Sequence, residues 1–245
     1  MGSSITVFFP MYNEKNNIQK AIDTTLEVLR EITDDYEIII VDDASTDGTG
    51  QIADRLAKRD PHIRVIHHET NRQLGGGLKS GFAAATKDLV LYSDADFPFD
   101  MMELKKAVRV IQHCDIVSGY RFDRTSEGYR RAIYSYVWNT LVRILYGIRV
   151  RDINFSFKLC RREIFKHVQL KSETSFIDAE LLIRANNLGY RIFQIGVDYF
   201  PRTRGISRLS SFPVIIKMTK DMFGLMPQLK ALKPLDENTE KYLTD

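Results

Sequence analysis

Residues 37–48 read Glu-Ile-Ile-Ile-Val-Asp-Asp-Ala-Ser-Thr-Asp-Gly, an apolar β-branched run that passes directly into a turn holding three aspartates. A short continuous apolar run bounded by turn residues is typical of a strand that is buried on both faces. The Asp, Ser and Thr residues of the turn are candidate helix caps and predict a helix that ends near Arg59. The segment therefore predicts a strand, a polar turn and a helix.

The same alternation extends in both directions from this segment. Strands are predicted at residues 5–9, 63–66, 89–92 and 115–117, and helices at residues 16–30, 78–85 and 100–112. Alternating strands and helices predict an α/β fold with a mainly parallel, Rossmann-like sheet covered by helices on both faces. Ligands bind such sheets at the carboxyl ends of the strands. Three of these ends, residues 12–14, 42–47 and 94–100, are rich in acids, and we expect them to converge on one site.

The second half of the chain is less regular. Residues 130–146 predict an amphipathic helix with Ile133, Val137, Leu141 and Leu145 on one side, and with a polar stripe of Ser135, Asn139 and Arg143. A helix at 175–188, a strand at 191–199 and a C-terminal amphipathic helix at 212–225 follow. We expect one domain over residues 1–228 and a polar tail over residues 229–245.

The composition excludes several classes of protein. Among 245 residues, 44% are hydrophobic and 27% charged, as in soluble globular domains. The net charge of +3 is too small to indicate nucleic acid binding by itself. Cys114 and Cys160 form no metal-ligand or disulfide pattern, and a reducing cytoplasm fits best. No signal peptide and no run of about 20 apolar residues is present, so we expect no membrane span, which leaves contact with a membrane surface open.

The pair Asp94-Ala95-Asp96 follows the predicted strand at 89–92. Two carboxylates at this spacing supply hard oxygen ligands that can hold Mg²⁺ or Mn²⁺, and through the metal a phosphate group. A turn with helix-capping acids is the alternative interpretation. The metal interpretation gains weight from the two other acid-rich strand ends. Two other patterns have simpler explanations: we expect His67-His68 at a strand end that faces solvent, and Gly75-Gly76-Gly77 at the tight start of a helix.

The three strand ends together resemble the family 2 glycosyltransferases with the GT-A fold, which bind a nucleotide-sugar there. The motif residues that match are Pro10, Tyr12 and Glu14; Val41-Asp42-Asp43 with Ser45 and Asp47-Gly48-Thr49; and Asp94-Ala95-Asp96. Motifs of the second half are similar to those of polyprenyl-phosphate sugar transferases, the group of the dolichyl-phosphate mannosyl- and glucosyltransferases. They are Gly119-Tyr120-Arg121, Arg130-Arg131, Asp152 with Phe157-Lys158, Arg161-Arg162-Glu163, and Arg202 with Gly205 and Ser207-Arg208.

The resemblance implies a nucleotide-sugar half at about residues 1–120 and an acceptor half at about 121–228. It implies that Asp42 and Asp43 bind the base or ribose and that Tyr12 and Glu14 line the nucleoside pocket. Pro10, Val41 and Ala95 belong to the same donor-binding motifs. Lys79 would lie on a helix near the donor. Asp94 would lie against the ribose and diphosphate, and Asp94 and Asp96 would hold the metal. Arg121, Arg131 (or Arg130), Arg202 and Arg208 would bind the donor diphosphate and the acceptor phosphate, although each could equally be an ordinary surface arginine.

The resemblance also implies inversion at the anomeric carbon. A polyprenyl phosphate acceptor needs only placement, whereas a hydroxyl acceptor of a glycan or glycolipid needs a base, for which Asp178 is the candidate. Asp178 could instead be a helix cap or an ion-pair partner. A non-catalytic nucleotide-sugar-binding subunit is a third possibility.

The donor stays open between UDP- and GDP-sugars. By the same resemblance, Pro98 stands where some dolichyl-phosphate mannosyltransferases have a further metal ligand, and Ser156 stands where the Asp152 motif usually has Gly. Asn154 resembles the glucosyl branch somewhat more than the mannosyl one. The helices at 130–146 and 212–225 could pack in the core or lie on the cytoplasmic face of a membrane beside acidic lipid, and a homo-oligomer or a membrane-protein partner is possible.

Overall fold

The computed structural model describes residues 4–122, 129–199 and 212–235, and its centre is one seven-stranded sheet. The strands are β1 (Ile5–Met11), β2 (Tyr36–Asp42), β3 (Ile63–His67), β4 (Leu89–Tyr92), β5 (Ile116–Arg121), β6 (Lys158–Arg161) and β7 (Ile192–Val197). They lie in the order β3-β2-β1-β4-β6-β5-β7, and only β6 runs antiparallel to its neighbours. The predicted α/β fold with a mainly parallel sheet is confirmed.

Helices cover both faces of this sheet. They are α1 (Ile18–Ile32), α2 (Thr49–Arg59), α3 (Gln73–Ala84), α4 (Glu103–Val110), α5 (Tyr129–Tyr146), α6 (Ile177–Asn187) and α7 (Phe212–Ala231), with short 3₁₀ helices at Ile111–His113 and Arg162–Lys166. Because side chains alternate along a strand, Val7 and Phe9 enter one core with α1, α2 and α4, whereas Phe8 enters a second core with α3, α5, α6 and α7.

Strand β6, which separates β4 from β5, is not predicted by the sequence pattern. This strand has four residues and contains Lys158, so it lacks the apolar run by which the other strands were recognised. Lys158 is nevertheless fully buried. The two halves of the chain therefore interleave in a single sheet, because β6 comes from the second half and both of its neighbours come from the first.

The last helix is longer than the sequence predicts. α7 continues past residue 225 and through Pro227 to Ala231, and Leu229 is fully buried. Beyond the helix, the Leu235 N–H donates to the Leu188 carbonyl oxygen at 3.0 Å. The predicted domain boundary at residue 228 thus falls inside a helix, and residues 229–235 belong to the packed domain rather than to a loose tail. Residues 236–245 lie outside the described part.

α5 turns most of the apolar side predicted for it away from the core, although Leu145 packs against the core. Ile133, Val137 and Leu141 are exposed, whereas Asn139 of the polar stripe is buried. Burial of Asn139 is possible because its amide hydrogen bonds are made: Nδ2 donates to the Ser135 carbonyl oxygen at 2.7 Å, and Oδ1 accepts from the Ile153 N–H at 2.9 Å. Within the described ranges, no helix combines the length and apolar content required to cross a membrane.

Candidate active site

The connections that follow β1 to β4, up to and including the first residue of the next helix, each contain one non-glycine residue with a positive φ. These residues are Asn13, Ala44, Gln73 and Phe97, with φ between 43° and 60°. Such backbone conformations are uncommon for residues with a side chain and persist where the surrounding structure holds them, often at functional sites. Strain is therefore concentrated at the edge of the sheet where the sequence analysis expects a ligand.

A cavity of about 580 Å³ opens at this edge. Its lining includes Pro10, Tyr12, Glu14, Asn71, Asp43, Asp94 and Asp96 from the first half of the chain, and Asn154, Thr174, Ser175, Asp178, Val214 and Lys217 from the second. The expected convergence of the three acid-rich strand ends is confirmed. Of the site residues predicted from the sequence, the cavity brings together Pro10, Tyr12, Glu14, Asp43, Asp94, Asp96 and Asp178.

The loops after β1 and β2 are tied together by the motif residues that do not face the cavity. The Asn13 N–H donates to Ser45 Oγ at 3.0 Å, and the Glu14 N–H donates to Thr49 Oγ1 at 2.9 Å. Asp47 in turn accepts hydrogen bonds from the backbone N–H groups of Lys15 and Thr49 at 3.1 and 3.0 Å. Ser45, Asp47 and Thr49 therefore hold the loop that carries Glu14 into the cavity.

Two histidines hold the paired aspartates at the end of β2. Asp43 Oδ1 accepts from the Arg72 N–H at 2.7 Å and lies 2.7 Å from His68 Nδ1, and His68 Nε2 is 2.8 Å from Ser80 Oγ. Asp42 is 3.0 Å from His67 Nδ1 but does not line the cavity. The expectation that both histidines face solvent is wrong for His68, whose side chain is 6% exposed.

The ionisation of His67 is shifted by its carboxylate neighbours. A hydrogen bond to Asp54 at 3.0 Å, supported by Asp42, raises the pKa of His67 above its usual value. The register of the sheet already places His67 beside Asp42 on the neighbouring strand, so strand pairing was the signal that could have revealed this contact.

Asp94 and Asp96 both line the cavity, while Ala95 between them is buried in the core. Both carboxylate oxygens of Asp96 are shielded from solvent. Within residues 4–122, 129–199 and 212–235, no group of three or more His, Cys, Asp or Glu side chains could hold a metal ion. Mg²⁺ often takes only one or two protein carboxylates and completes its shell with substrate phosphates and water. The Asp94 and Asp96 pair fits a metal held in that shared way.

Asp178 is held by a buried ion pair. Lys158 Nζ lies 2.8 Å from Asp178 Oδ1 and also donates to the Phe155 carbonyl oxygen at 2.6 Å, and the Tyr92 hydroxyl donates to Asp178 at 3.1 Å. Burial raises the pKa of Asp178, and Lys158 opposes that shift. Burial also raises the pKa of Tyr92. The predicted role of Asp178 as an ion-pair partner is confirmed. Its role as a base stays a prediction.

Several predicted site residues do not line the cavity. Arg121 forms a bidentate ion pair with Asp152 at 2.7 and 2.8 Å, and Lys79 pairs with Glu173. Val41 and Ala95 are core residues, so only their backbone could approach a donor. The side chains of Arg130 and Arg131, and the whole of Arg202 and Arg208, lie outside the described part of the structure.

The charges around the cavity are unequal. The described lining holds five carboxylates, those of Glu14, Asp43, Asp94, Asp96 and Asp178, but Lys217 is the one cation within it. Lys217 belongs to none of the motifs identified in the sequence, so its place in the cavity was not predicted.

This geometry, a cavity at the carboxyl edge of a mainly parallel sheet with an Asp-Ala-Asp pair, is that of glycosyltransferases with the GT-A fold. Residues 6–169 match the glycosyl transferase family 2 profile. The chain belongs to this family and is a glycosyltransferase.

Relatives in the same family cover most of the chain. The chain is 34% identical over 210 residues to glycosyltransferase AglD of Haloferax volcanii, covering 82% of this chain but 34% of AglD, so it spans about a third of that relative's length. It is 28% identical to the undecaprenyl-phosphate mannosyltransferase of Micrococcus luteus, covering 94% of this chain and 97% of the relative. It is 27% identical to the polyprenol monophosphomannose synthase of Mycolicibacterium smegmatis, covering 83% of this chain and 80% of the relative.

Solved structures show the same fold. Mannosyltransferase PcManGT from Pyrobaculum calidifontis, in complex with GDP-Man and Mn²⁺, has a TM-score of 0.66 at 20% identity and covers 94% of this chain and 69% of its own. Glucosyl-3-phosphoglycerate synthase from Mycobacterium tuberculosis, in complex with Mn²⁺ and UDP-glucose, has a TM-score of 0.70 at 18% identity. The match covers 96% of this chain and 81% of the synthase.

Proposed function

We propose that this family 2 glycosyltransferase moves a sugar from a UDP- or GDP-sugar to the phosphate of a polyprenyl phosphate, at the cytoplasmic face of a membrane. The observation that carries the proposal is the near full-length similarity to a relative named undecaprenyl-phosphate mannosyltransferase. A second relative with broad coverage is named polyprenol monophosphomannose synthase. The cavity of about 580 Å³ is lined by residues from both halves of the chain, as we expect of a site that binds both a donor and an acceptor.

The acceptor phosphate is already anionic, so the reaction needs no residue to remove a proton. A phosphate oxygen attacks the anomeric carbon, and the bond from that carbon to the nucleoside diphosphate breaks with its electron pair leaving on the diphosphate. In-line attack inverts the anomeric carbon, as the resemblance implies. The ion pair of Asp178 supports this chemistry, because the Lys158 ammonium group lies 2.8 Å from the Asp178 carboxylate and already binds it.

The carboxylates of Asp94 and Asp96 line the cavity, and hard oxygen ligands of this kind can hold a divalent cation that in turn binds the donor diphosphate. Asp94 and Asp96 would hold Mg²⁺ or Mn²⁺ there. When bound, the metal neutralises the charge that grows on the departing diphosphate. Asp43, fixed by His68 and the Arg72 N–H, would accept hydrogen bonds from the base or ribose. Lys217 and the predicted arginines would bind phosphate oxygens.

The test is transfer of radiolabelled sugar from a panel of UDP- and GDP-sugars into polyprenyl phosphate, with Mg²⁺ or Mn²⁺, followed by extraction into organic solvent. We expect label in the lipid phase with one donor. Asp96→Asn should abolish transfer and also weaken Mn²⁺ binding in the presence of nucleoside diphosphate, measured by electron paramagnetic resonance. Donor binding without any transfer to lipid would contradict the proposal and favour a hydroxyl acceptor or a non-catalytic subunit.

A hydroxyl acceptor is the second candidate, because Asp178 lines the cavity and burial raises its pKa. A carboxylate whose pKa lies nearer to neutrality is a better general base. Transfer to glycan or glycolipid hydroxyls, tested with the same donors, would identify this reaction.

A further inference from the structure

The carboxylate of Asp43 contacts a series of side chains that belong to no motif identified in the sequence. Asp43 lines the cavity at the end of β2, and its Oδ1 atom lies 2.7 Å from Nδ1 of His68. The other ring nitrogen of His68, Nε2, lies 2.8 Å from Oγ of Ser80 on α3. These three side chains, here called the Asp-His-Ser array, extend from the cavity to α3.

The array leaves one oxygen of Asp43 for a ligand. Oδ1 also accepts from the Arg72 N–H at 2.7 Å, so two donors converge on this atom. Within the described residues, no hydrogen bond reaches Oδ2 of Asp43. A ligand that donates to this carboxylate, through a ribose hydroxyl or an N–H group of a base, therefore meets Oδ2 at a position set by the contacts of Oδ1.

The ring of His68 is fixed at both nitrogens. A carboxylate only accepts hydrogen bonds, so Nδ1 donates to Asp43, and in the neutral ring Nε2 then accepts from the Ser80 hydroxyl. The side chain is buried, and the backbone N–H of His68 donates to the Asp42 carbonyl oxygen at 2.9 Å. Turning the ring away from Asp43 would leave buried polar groups unsatisfied, which costs free energy.

Ser80 is held in turn by the packing of α3 on the sheet. Its neighbour Gly81 lies so close to β1 that a Cβ atom there would be 2.1 Å from the Phe8 ring. One turn earlier, a Cβ atom on Gly77 would be 2.9 Å from Pro10, which also lines the cavity. The array therefore connects a cavity carboxylate to a helix that is packed tightly on the sheet, and such support keeps the geometry of a binding site fixed.

We propose that His68 is a positioning residue for the donor. It holds Asp43 so that Oδ2 accepts a hydrogen bond from the nucleoside part of the nucleotide-sugar, and Ser80 holds His68. Neither His68 nor Ser80 is part of the described cavity lining, so both act through Asp43. The inference rests on the proposed function, which supplies the nucleotide-sugar and assigns the diphosphate to Asp94, Asp96 and a metal.

Two substitutions of His68 separate positioning from packing. Leucine is close to histidine in size but cannot donate a hydrogen bond, whereas asparagine is smaller but its Nδ2 atom can donate in place of the imidazole Nδ1. Titration calorimetry with UDP, GDP and inorganic pyrophosphate, in the presence of Mg²⁺, measures the effect of each.

His68→Leu should weaken binding of the preferred nucleoside diphosphate by about tenfold or more, because a hydrogen bond to a charged group is lost. Binding of pyrophosphate, which has no nucleoside, should stay unchanged. His68→Asn should restore nucleotide affinity to within about threefold of the unmodified chain. A role in packing alone predicts the opposite order of the two variants.

Further variants test whether His68 acts through Asp43. Asp43→Asn should weaken nucleotide binding, and His68→Leu added to it should have little further effect. Ser80→Ala, which removes a single oxygen atom, should weaken nucleotide binding by about threefold and keeps the inference testable if the His68 variants do not fold. The matched control is His62→Leu, because His62 Nδ1 lies 2.8 Å from Asp60 Oδ1 at the opposite end of β3, and this variant should bind nucleotide normally.

In the transfer reaction, His68→Leu should raise the KM of the donor by the same factor and leave kcat within about twofold of the unmodified chain. The inference would be overturned, with the proposed function intact, by any of three results: normal nucleotide affinity in His68→Leu, weaker binding by His68→Asn than by His68→Leu, or an equal loss of pyrophosphate binding. An unmodified chain that binds neither UDP nor GDP would reject the nucleotide-sugar donor, and the positioning role with it.

Discussion

The buried ion pair between Lys158 and Asp178 determines how the role of Asp178 can be tested. Both side chains are almost fully buried. Removing one member of such a pair leaves an uncompensated buried charge and costs roughly 3–5 kcal/mol. A loss of activity in Asp178→Asn alone would therefore not distinguish a missing base from a damaged cavity.

The double variant Lys158→Met with Asp178→Asn separates these causes, because it removes both charges together. If the acceptor is a phosphate, we expect the double variant to regain most of the unfolding free energy lost in Asp178→Asn, and kcat to recover to within about tenfold of the unmodified chain. Urea unfolding and steady-state transfer measure the two quantities. Recovery of stability while kcat stays reduced by about 10²-fold or more would identify Asp178 as a base.

His67 should give the stability of the protein a pH dependence. Asp54 and Asp42 raise its pKa in the folded state, so the folded state binds the proton more tightly than the unfolded state does. The resulting stabilisation is fully present below the unfolded pKa, about 6.5, and is lost as the pH rises through the higher folded pKa. His67→Gln should therefore lower the unfolding free energy more at about pH 5.5 than at about pH 8.5.

The size of this difference should stay below about 1 kcal/mol, because the His67 side chain is 47% exposed and water screens its ion pairs. Urea unfolding at the two pH values measures it. His113→Gln is the matched control, since His113 is exposed and forms no ion pair in the described structure. An equal effect of His67→Gln at both pH values would show that its protonation is not coupled to folding.

At the scale of elements, α3 approaches the loop before α6 so closely that one position requires glycine. A Cβ atom on Gly75 would lie 2.4 Å from backbone atoms of Glu173, and the Gly75 N–H donates to the Glu173 carbonyl oxygen at 2.9 Å. Gly75→Ala should separate the two segments, lowering the unfolding free energy by about 1–3 kcal/mol and weakening nucleoside-diphosphate binding, because Thr174 and Ser175 of that loop line the cavity.

Gly224→Ala is the control for this substitution. Gly224 lies inside α7, and a Cβ atom there would meet nothing within 4 Å. Replacing a helical glycine without a clash should raise the unfolding free energy by about 0.5–1 kcal/mol. Urea unfolding and titration calorimetry with UDP and GDP measure both variants. Nucleotide binding by Gly75→Ala as tight as in the unmodified chain would show that this contact does not shape the cavity.

The elements that sequence periodicity predicted are those with long apolar patterns, and the exceptions have physical causes. Strand β6 was not predicted because it contains the buried Lys158. The charge of Lys158 is neutralised by Asp178 on α6, and the periodicity of a sequence gives no information about such a pairing. The face of α5 was ambiguous because Asn139 satisfies its hydrogen bonds locally, so a polar stripe could turn inward. Local pattern predicts that an element is amphipathic, but its neighbours decide which side is buried.

At the scale of the whole molecule, the sequence predicted the part of the cavity that comes from consecutive strand ends. Glu14, Asp43, Asp94 and Asp96 could be placed together because parallel strands align their carboxyl ends. Asn154 and Lys217 could not, because their positions depend on how the second half folds back over the sheet. Nor could the bidentate pairing of Arg121 with Asp152 be read from the order of motifs.

The boundary of the domain gives the last prediction, because the end of α7 contributes to the same core as the sheet. Leu229 is fully buried, Leu232 and Leu235 pack against the core, and the Asn187 side chain donates to the Leu229 carbonyl oxygen at 2.9 Å. A chain ending at residue 228 loses these contacts and should lose about 2–5 kcal/mol of unfolding free energy. A chain ending at residue 235 retains them and is the matched control for removal of the remaining tail. Urea unfolding of both truncated chains measures the difference, and equal stability would place the folded boundary at residue 228, as the sequence alone predicted.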